Sequence, residues 1–322
     1  MSGSLDGAMT AAACTKCPHP AVVTLRYAGT SLCRDHFLRF FGERAKHEVA
    51  KQGRLPEGKV AVALSGGKDS VSVLHFLHGL AKGNPKVELV AVTVDEGIAG
   101  YRDSSLPICR KVTEELGVSW HLIGTKELAG YTMDQYAAGA AGPDADGEPR
   151  AACGACGVFR RLGMNRLARE LGCSAIATGH NLDDQAQTIL MNHLKGDLDR
   201  AARLAPHSPE EAAKHPGLVR RIMPFRTIPE KEVLLYALLN GLPLHDEAEC
   251  PYAVRSQRFL LRDVLIGLEE QTPGTRHALV RGQERLKPIL AAALPALAVA
   301  SCPECGEPTS GARCVACSLR ST

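Results

Sequence analysis

One stretch of ten residues constrains this chain more than any other, because it has the pattern of a strand, a glycine turn and a helix start. It runs Ala61-Val-Ala-Leu-Ser-Gly-Gly-Lys-Asp-Ser70 and leads into an apolar helical run, Val71–Leu77. Backbone N–H groups at a helix N-terminus bind anions, and adjacent glycines let the backbone approach a phosphate closely. The spacing differs from that of a Walker A loop. The pattern predicts a nucleotide-phosphate turn made of Ser65, Gly66, Gly67, Lys68, Asp69 and Ser70.

Short apolar segments and amphipathic helices alternate from residue 59 to about residue 200. Strands are predicted at Lys59–Leu64, Glu88–Val94, Ser119–Ile123 and Ala175–Thr178. The alternation predicts an α/β fold, a mainly parallel sheet with helices on both faces. In such folds ligands bind beyond the carboxyl ends of the strands. The phosphate turn, the turn at Asp95 and the segment from Gly179 to Asp184 all follow predicted strands, so we expect them to line one crevice.

Composition and charge favour a globular protein and argue against a membrane-spanning, secreted or strongly basic one. The chain has 322 residues, of which 45% are hydrophobic and 23% charged, as in an ordinary globular protein. The net charge is only +3, so contacts with nucleic acid would have to come from local basic patches. No apolar run approaches the roughly 20 residues that span a bilayer, and the N-terminus lacks a secretory pattern. We therefore expect a cytoplasmic protein without membrane contact.

Cysteines with metal-ligand spacing lie at both ends of the chain. At the N-terminus Cys14-x2-Cys17 is followed, after a hairpin-like segment, by Cys33-x2-His36. Paired knuckles of this kind suit a tetrahedral zinc ion, which would also supply the folding energy of so small a segment. His19 is the alternative to His36 as the fourth ligand. The C-terminal ligand set has four cysteines and predicts a zinc ribbon: Cys302, Cys305, Cys314 and Cys317.

A third cysteine group, Cys153-x2-Cys156, has no complete ligand set nearby. Its candidate distant partner is Cys250, and three thiolates around a [4Fe–4S] cluster would leave one iron without a protein ligand. A redox pair and a persulfide relay are alternatives that spacing does not exclude. The two remaining cysteines, Cys109 and Cys173, lie in apolar patterns and are predicted to be buried free thiols.

The glycine turn resembles the PP-loop of the ATP-pyrophosphatases, which cleave ATP between its α- and β-phosphates. The full set of motifs resembles the tRNA 2-thiouridine synthetase family, in particular the archaeal and eukaryotic cytosolic branch that thiolates the wobble uridine. The motifs occur in family order over nearly the whole chain: Cys14/Cys17/Cys33/His36, Ser65–Ser70, Val94–Asp103, Cys153–Arg161, Thr178–Asp184, Cys250-Pro251 and the terminal four-cysteine ribbon.

The resemblance implies cofactors and partners. Cys153, Cys156 and Cys250 would hold an oxygen-sensitive [4Fe–4S] cluster, and each end of the chain would bind Zn²⁺. The substrate would be tRNA, with sulfur supplied by a ubiquitin-like carrier protein or by free sulfide, in a homodimer or with a related subunit. Relatives that modify the T-loop uridine carry a lysine where this chain has Arg160. An arginine cannot readily give up its proton, so we expect Arg160 to neutralise charge rather than to transfer protons.

We expect the following segments: a tail at 1–13, a zinc knuckle at 14–36, a linker helix at 37–58, a PP-loop catalytic domain at 59–225, a helical region at 226–298 and a zinc ribbon at 299–322. A stretch at 137–149 is expected to be flexible, and another at 205–217 mobile.

Roles for the nucleotide site follow from the same motifs. ATP would place its pyrophosphate on the phosphate turn, with Lys68 offsetting charge and Asp69 orienting the loop or assisting Mg²⁺. Asp184, with Asp183, would hold Mg²⁺ or position the nucleotide, the alternative being a helix cap. Val94 and Asp95 would contact the nucleoside, although a purely structural turn is the alternative for Asp95.

The predicted activity is a tRNA uridine 2-sulfurtransferase that adenylates the uridine C2 oxygen and then transfers sulfur. The alternatives are a PP-loop synthetase or amidotransferase without a cluster, and a non-catalytic zinc-dependent RNA-binding subunit. Arginines around the site are candidates for tRNA phosphate contacts: Arg150, Arg160, Arg161, Arg166, Arg169, Arg220, Arg221, Arg226, Arg255, Arg258 and Arg262.

Overall fold

The computed structural model describes residues 12–140, 142, 152–214, 217–244, 250–252, 257–295 and 299–320. The strands are β1 Val23–Leu25, β2 Thr30–Leu32, β3 Gly58–Ala63, β4 Val87–Asp95, β5 Ser119–Gly124, β6 Ala175–Ala177, β7 Arg220–Ile222, β8 Ala300–Ser301 and β9 Pro308–Thr309. The helices are α1 Arg34–Lys51, α2 Lys68–Ala81, α3 Arg102–Leu116, α4 Thr125–Ala129, α5 Met133–Gln135, α6 Ala152–Glu170, α7 Leu182–Leu194, α8 Leu198–Ala202, α9 Pro209–Ala213, α10 Glu230–Leu239, α11 Gln257–Gln271, α12 Thr275–Ala293 and α13 Val315–Arg320.

Five parallel strands form the central sheet in the order β5-β4-β3-β6-β7. The inner strands β3 and β4 are runs of valine, alanine and leucine that are buried on both faces, as a parallel sheet covered by helices requires. The predicted α/β fold is confirmed, and the four predicted strands lie within one residue of their observed ends. The fifth strand, β7, was not predicted because its three residues, Arg-Arg-Ile, carry no strand-like alternation.

Helices cover the two faces of the sheet with separate cores. On one face α1, α2 and α10 pack over a large apolar cluster that includes Phe41, Val62 and Phe225. On the other face α6 packs over Ala61, Val92 and Ile176. The reversal of strand order between β4 and β6, on either side of β3, opens a crevice at the carboxyl edge.

The helical region beyond the sheet agrees closely with the sequence. The sequence predicts helices at Glu230–Leu239 and Gln257–Leu268; α10 has the first of these bounds, and α11 begins at Gln257 and ends three residues later than predicted. The stretch at 205–217, expected to be mobile, contains α9, which begins at a capping box of Ser208 and Glu211. Residues 141 and 143–149 of the other flexible prediction lie outside the described residues, as do residues 1–11 of the predicted tail.

Each terminal module is anchored to the main domain. The N-terminal hairpin β1–β2 leads directly into α1, and Arg34 donates to the carbonyl of Leu239 at 3.0 Å. The C-terminal module packs on α6, where Asn165 and Arg169 both donate to the Glu307 carboxylate at 3.1 and 2.8 Å. No helix among the described residues is both long and apolar enough to cross a membrane.

Candidate active site

The phosphate turn lies between β3 and α2 and depends on glycine. Gly66 has φ +84°, and a Cβ there would lie 2.4 Å from the carbonyl oxygen of Ser105. The turn is closed by Ser70, whose hydroxyl accepts from the Ser65 amide at 3.1 Å and donates to the Gly67 carbonyl at 2.9 Å. Because the residue that precedes α2 is Gly67, no side chain caps the first-turn amides of this helix. They remain available to an anionic ligand.

The turn after β6 forms the second wall of the crevice. At Gly179 a Cβ would lie 2.9 Å from the carbonyl carbon of Asp69, so a glycine is needed for the two turns to meet. Asn181 donates to Asp69 Oδ1 at 3.3 Å and also forms a capping box with Asp184 at the start of α7. The structure therefore brings Asp69 and Asp184 together, and Asp184 does cap its own helix.

Charged groups next to Lys68 define a small acidic cavity. Lys68 Nζ lies 3.2 Å from Asp69 and 2.8 Å from Glu230, a residue that the sequence did not single out because it starts a distant helix. Burial, with a smaller contribution from the charges of Asp184 and Glu230, raises the pKa of Asp69 to about 6 against the opposing effect of Lys68. The cavity has a volume of about 160 Å³, and its lining includes Asp69, Asn181, Asp184, Glu230, Arg258 and Phe259.

Asp183 lines this cavity but its carboxylate is already paired, and Asp95 likewise has a partner of its own. Asp183 accepts from the Glu230 amide at 2.8 Å and forms an ion pair with Arg276, so it ties α7 to α10 and α12. Asp95 accepts from the Gly97 amide at 2.9 Å, which is the structural turn named as its alternative. Val94 is buried at the end of β4.

The three cysteines of the central group come together from two segments. Cys153 and Cys156 lie in the first turns of α6, and the Cys153 thiol donates to the Tyr252 carbonyl at 2.8 Å, which places the Cys250 segment beside them. That segment is held by the Tyr252 hydroxyl, which donates to Asp134 at 2.8 Å. Burial and the nearby Glu96 carboxylate raise the pKa of Cys156 to about 12, so its free thiol is protonated at neutral pH.

A buried carboxylate, Glu96, connects the cysteines to the phosphate turn. Glu96 is 1% exposed and pairs with Arg102 through two N–O contacts of 2.5 and 2.7 Å. Arg102 in turn donates to the Ser65 carbonyl at 2.9 Å. On its other side Glu96 lies 3.2 Å from Nε of Arg160, one helical turn beyond Cys156. The sequence did not identify Glu96 or Arg102 as site residues, since nothing local to either marks the pairing.

Comparisons with known proteins agree with this arrangement. Residues 41–263 match the PP-loop domain family, and residues 14–38 match the N-terminal LIM domain of the 2-thiouridine synthetase TtuA. The chain is 38% identical over 319 residues to the tRNA 2-thiolation protein NcsA of Haloferax volcanii, covering 95% of this chain and 97% of that protein. It is 33% identical to the tRNA-5-methyluridine(54) 2-sulfurtransferase of Thermus thermophilus, covering 95% and 90%.

A solved structure extends the likeness to the fold. The U34-tRNA thiolase NcsA of Methanococcus maripaludis, described with its [4Fe–4S] cluster, superposes with a TM-score of 0.80 at 33% identity and covers 95% of both chains. The chain belongs to the tRNA 2-thiouridine synthetase family of PP-loop proteins. The resemblance of its motifs to that family is thus confirmed.

The predicted metal ligands at each end of the chain form a compact group of four. In the N-terminal group, Nδ1 of His36 lies 3.3 Å from the sulfur of Cys33 and 3.5 Å from that of Cys14, so His36 rather than His19 completes the set. In the C-terminal group the sulfurs of Cys305 and Cys314 are 3.5 Å apart. In both groups all four ligand atoms lie within 4.8 Å of one another, as a single tetrahedral ion requires.

The central cysteines fit a larger group than one ion. Among the described residues, the two terminal groups are the ones in which three or more ligand atoms of cysteine, histidine or carboxylate lie within 4.8 Å. Cys153, Cys156 and Cys250 are therefore spread more widely than a single ion would require. Thiolate donors with this wider spacing suit an iron–sulfur cluster.

The arginines named as phosphate contacts fall into two classes. Arg220 is buried and donates to the backbone carbonyls of Gln52 and Arg54, and Arg226 forms a buried ion pair with Glu48, so the prediction for these two is wrong. Four others have protein partners: Arg160 with Glu96, Arg166 with Glu170, Arg169 with Glu307 and Arg258 with Asp184. Arg150 and Arg255 lie outside the described residues.

Proposed function

We propose that this protein is an ATP-dependent tRNA uridine 2-sulfurtransferase that converts the wobble uridine to 2-thiouridine. The observation that carries the proposal is the placement of a phosphate turn and a three-cysteine group at one sheet edge, joined through Arg102 and Glu96. The names of the relatives support it, since they are tRNA thiolation proteins and sulfurtransferases that match nearly the whole chain.

The first step activates the base. The C2 oxygen of the uridine attacks the α-phosphate of ATP, a bond forms between that oxygen and phosphorus, and pyrophosphate leaves. The enzyme's task here is positioning and charge stabilisation rather than nucleophilic attack. The amides of the phosphate turn and Lys68 would bind the pyrophosphate, which requires Lys68 to exchange Glu230 for phosphate oxygens. Asp69 and Asp184 face the same cavity and would hold Mg²⁺.

The second step exchanges oxygen for sulfur without a change in overall oxidation state. Hydrosulfide attacks C2, the C2–oxygen bond breaks, and AMP leaves with the oxygen. Cys153, Cys156 and Cys250 would hold a [4Fe–4S] cluster, which supplies a site for the sulfur at the iron that has no protein ligand. Arg160, held by Glu96 beside Cys156, would neutralise charge on the leaving group.

Further cofactors and partners follow from the same assignment. Each terminal four-ligand group would bind one Zn²⁺ with a structural role, because its ligand set is complete. The sulfur source would be a ubiquitin-like carrier protein or free sulfide, and the chain would act in the cytoplasm as a homodimer or with a related subunit. The wobble uridine is favoured by Arg160, which stands where relatives that modify the T-loop uridine carry a lysine, and by the U34 specificity of the Methanococcus relative.

The decisive test is an anaerobic assay with reconstituted protein, ATP, sulfide and unmodified tRNA, in which nucleosides are identified by mass spectrometry. We expect ATP-dependent 2-thiouridine that is lost when the protein is exposed to air. If the protein binds no iron and ATP cleavage is indifferent to oxygen, the amidotransferase alternative replaces the proposal. If it binds tRNA but cleaves no ATP under any of these conditions, the non-catalytic subunit does.

A further inference from the structure

Helix α6 and the segment that enters β7 lie side by side in a defined register. Asn165 donates to the Gly217 carbonyl at 2.8 Å and accepts from the Val219 amide at 2.9 Å. One turn nearer the helix C-terminus, Arg169 also reaches the Gly217 carbonyl, at 3.5 Å. The helix and this segment therefore run in opposite directions. One turn toward the helix N-terminus from Asn165, the residue alongside is Arg161, and the neighbouring segment has advanced to β7.

Alternation along β7 sends its two arginines to opposite faces of the sheet. Ile222 and Arg220 point to the face covered by α1, where Ile222 joins the large apolar cluster and Arg220 donates to the carbonyl of Gln52. Arg221, between them, must point to the face covered by α6. The side chain of Arg221 thus extends toward that of Arg161.

Arg221 is half-buried and Arg161 is exposed on α6, and neither has a counter-ion among the described residues. Burial, together with the charge of Arg161, lowers the pKa of Arg221 to about 10. Burial also lowers the pKa of Arg161, as do the charges of Arg200 and Arg160. Within the described part of the chain neither Arg161 nor Arg221 makes an ion pair or a hydrogen bond, in contrast to Arg160, Arg166, Arg169, Arg220, Arg226 and Arg258.

The arginine pair lies close to residues of both halves of the reaction site. The Arg161 guanidinium folds back along α6, 3.4 Å from the point that a Cβ on Gly157 would occupy, and Gly157 directly follows Cys156. His180 lies in the turn after β6, where its Nδ1 is 2.8 Å from the hydroxyl of Thr178. Burial lowers the pKa of His180, and the charges of Arg221 and Arg258 lower it further against that of Asp184. The pair therefore lies between the cysteines and the nucleotide side of the crevice.

We propose that Arg161 and Arg221 form a binding site for one phosphate of the RNA backbone, adjacent to the uridine that is thiolated. Two guanidiniums on one phosphate offer bidentate, charge-assisted hydrogen bonds and relieve their mutual repulsion. The inference rests on the proposed function, which supplies the RNA.

The phosphate belongs to RNA rather than to ATP. The sheet order is β3-β6-β7, so the phosphate turn after β3 and the arginine on β7 are two strands apart, or roughly 10 Å at the usual strand spacing. The phosphates of ATP are already provided for by the amides of the phosphate turn and by Lys68, so the arginine pair would receive a second, separate anion.

The test measures tRNA binding and ATP use separately in the iron-loaded protein. Arg221→Gln and Arg161→Gln should each weaken binding of unmodified tRNA by about tenfold, as expected for a lost charged hydrogen bond, and lower the slope of log affinity against log salt by about 0.7. The double variant should lose little more than either single variant, because both act on one phosphate. The KM for ATP should be unchanged.

The charge-matched control is Arg39→Gln, which replaces an exposed arginine of α1 on the other face of the sheet. It should alter neither the affinity for tRNA nor the KM for ATP.

Chemically altered RNA locates the phosphate. In an anticodon stem-loop RNA, a neutral methylphosphonate on one side of the reacting uridine should weaken binding to the native protein by the same factor, and should have no effect on Arg221→Gln. A raised KM for ATP with an unchanged salt slope in the variants would assign the pair to the nucleotide and overturn the proposal. Additive losses from methylphosphonate and Arg221→Gln at every position would also overturn it.

The experiments distinguish failure of the phosphate site from failure of the proposed sulfurtransferase function. A native protein that binds tRNA through this pair but forms no 2-thiouridine in the anaerobic assay would refute the sulfurtransferase and leave the phosphate site standing. Iron content and circular dichroism show whether either variant is misfolded. Should Arg221→Gln fail on that criterion, Arg161→Gln decides the matter, because its side chain is exposed on α6.

Discussion

The metal-ligand groups at the ends of the chain and the cysteine group at its centre differ in completeness. Each terminal group assembles four ligand atoms within 4.8 Å, from two turns that are near in sequence. The central group has three cysteines, drawn from α6 and from a segment nearly a hundred residues away, and Cys153 is exposed. A full tetrahedral set leaves no coordination position open, whereas three ligands on a larger group leave one.

The difference in completeness suggests that the terminal groups serve stability and the central group serves catalysis. The terminal modules are too small to fold by hydrophobic burial, so their closed ligand sets substitute for a core. The central cysteines sit against a core that includes Phe159 and Tyr131 and that they share with the buried cysteines of the ribbon. Because apolar side chains form most of this core, we expect the fold not to depend on the central thiols. We therefore expect loss of a central ligand to abolish activity with little effect on stability, and loss of a terminal ligand to have the reverse effect.

The largest effect on activity should come from Cys250→Ala. With two thiolates left, the cluster should be lost and thiolation should fall to background, at least about 10³-fold or roughly 4 kcal/mol. ATP binding should stay within about twofold, because the phosphate turn does not contact Cys250. Iron content, nucleoside analysis and ATP titration measure the three effects. The control is Cys173→Ala, a buried thiol of the α6 core, which should keep its iron. Thiolation that survives in Cys250→Ala would remove the cluster from the mechanism.

Gly66→Ala should impair nucleotide binding at the phosphate turn and leave the central cysteines intact. An alanine there meets the carbonyl oxygen of Ser105 at 2.4 Å and must adopt φ +84°, which together cost about 2–3 kcal/mol. We expect AMP formation to fall by about a hundredfold while iron and zinc contents stay unchanged. Gly79→Ala on α2, where a Cβ meets nothing within 4 Å, is the matched control. Loss of iron from Gly66→Ala alone would show that the two halves are not separable.

Cys305→Ser tests the terminal side of the comparison. Zinc binding contributes roughly 10–16 kcal/mol to small zinc modules, so the loss of one of four ligands should unfold the C-terminal ribbon. Zinc content should fall by one ion per chain, iron should be retained, and limited proteolysis should cut first near residue 300. Thiolation should fall by less than about tenfold: the ribbon packs on α6 through Glu307 and through an apolar cluster that includes Ala316, Cys317 and Phe159, but it supplies no ligand to the central group. Loss of iron together with zinc would contradict the separation of the two kinds of site.

The same contrast governs what could be predicted from the sequence. Both terminal four-ligand groups, the glycine turn and α10 are local patterns, and the sequence predicts them nearly residue by residue. The partners of the central site are not local: Glu230 reaches Lys68 from a helix 160 residues away, and Asp183, named as a magnesium ligand, pairs instead with Arg276. The orientation of Arg220 and Arg221 was not predictable either. It follows from the alternation of the three-residue strand β7, which has no sequence signal of its own.

The smallest expected effect on activity, and the sharpest test of how the central site is connected, comes from Glu96→Gln. The buried carboxylate joins Arg102, which holds the Ser65 carbonyl, to Arg160 beside Cys156. A glutamine keeps one acceptor for Arg102 but removes the charge that both arginines pair with, so folding stability should fall by about 3–5 kcal/mol. In the folded variant the contact of Arg102 with the Ser65 carbonyl should remain, while Arg160 is released.

We therefore expect Glu96→Gln to lower the amount of 2-thiouridine formed per AMP by about three- to fivefold, or roughly 1 kcal/mol, at a nearly unchanged rate of AMP formation. Glu96→Asp, which retains the charge, should recover part of the ratio. A purely structural role for Glu96 would lower both products together and leave their ratio unchanged. Among the described residues neither terminal module contacts Glu96, so Cys305→Ser should also leave this ratio unchanged. A changed ratio of 2-thiouridine to AMP in Cys305→Ser would show that the terminal groups influence the sulfur-transfer step.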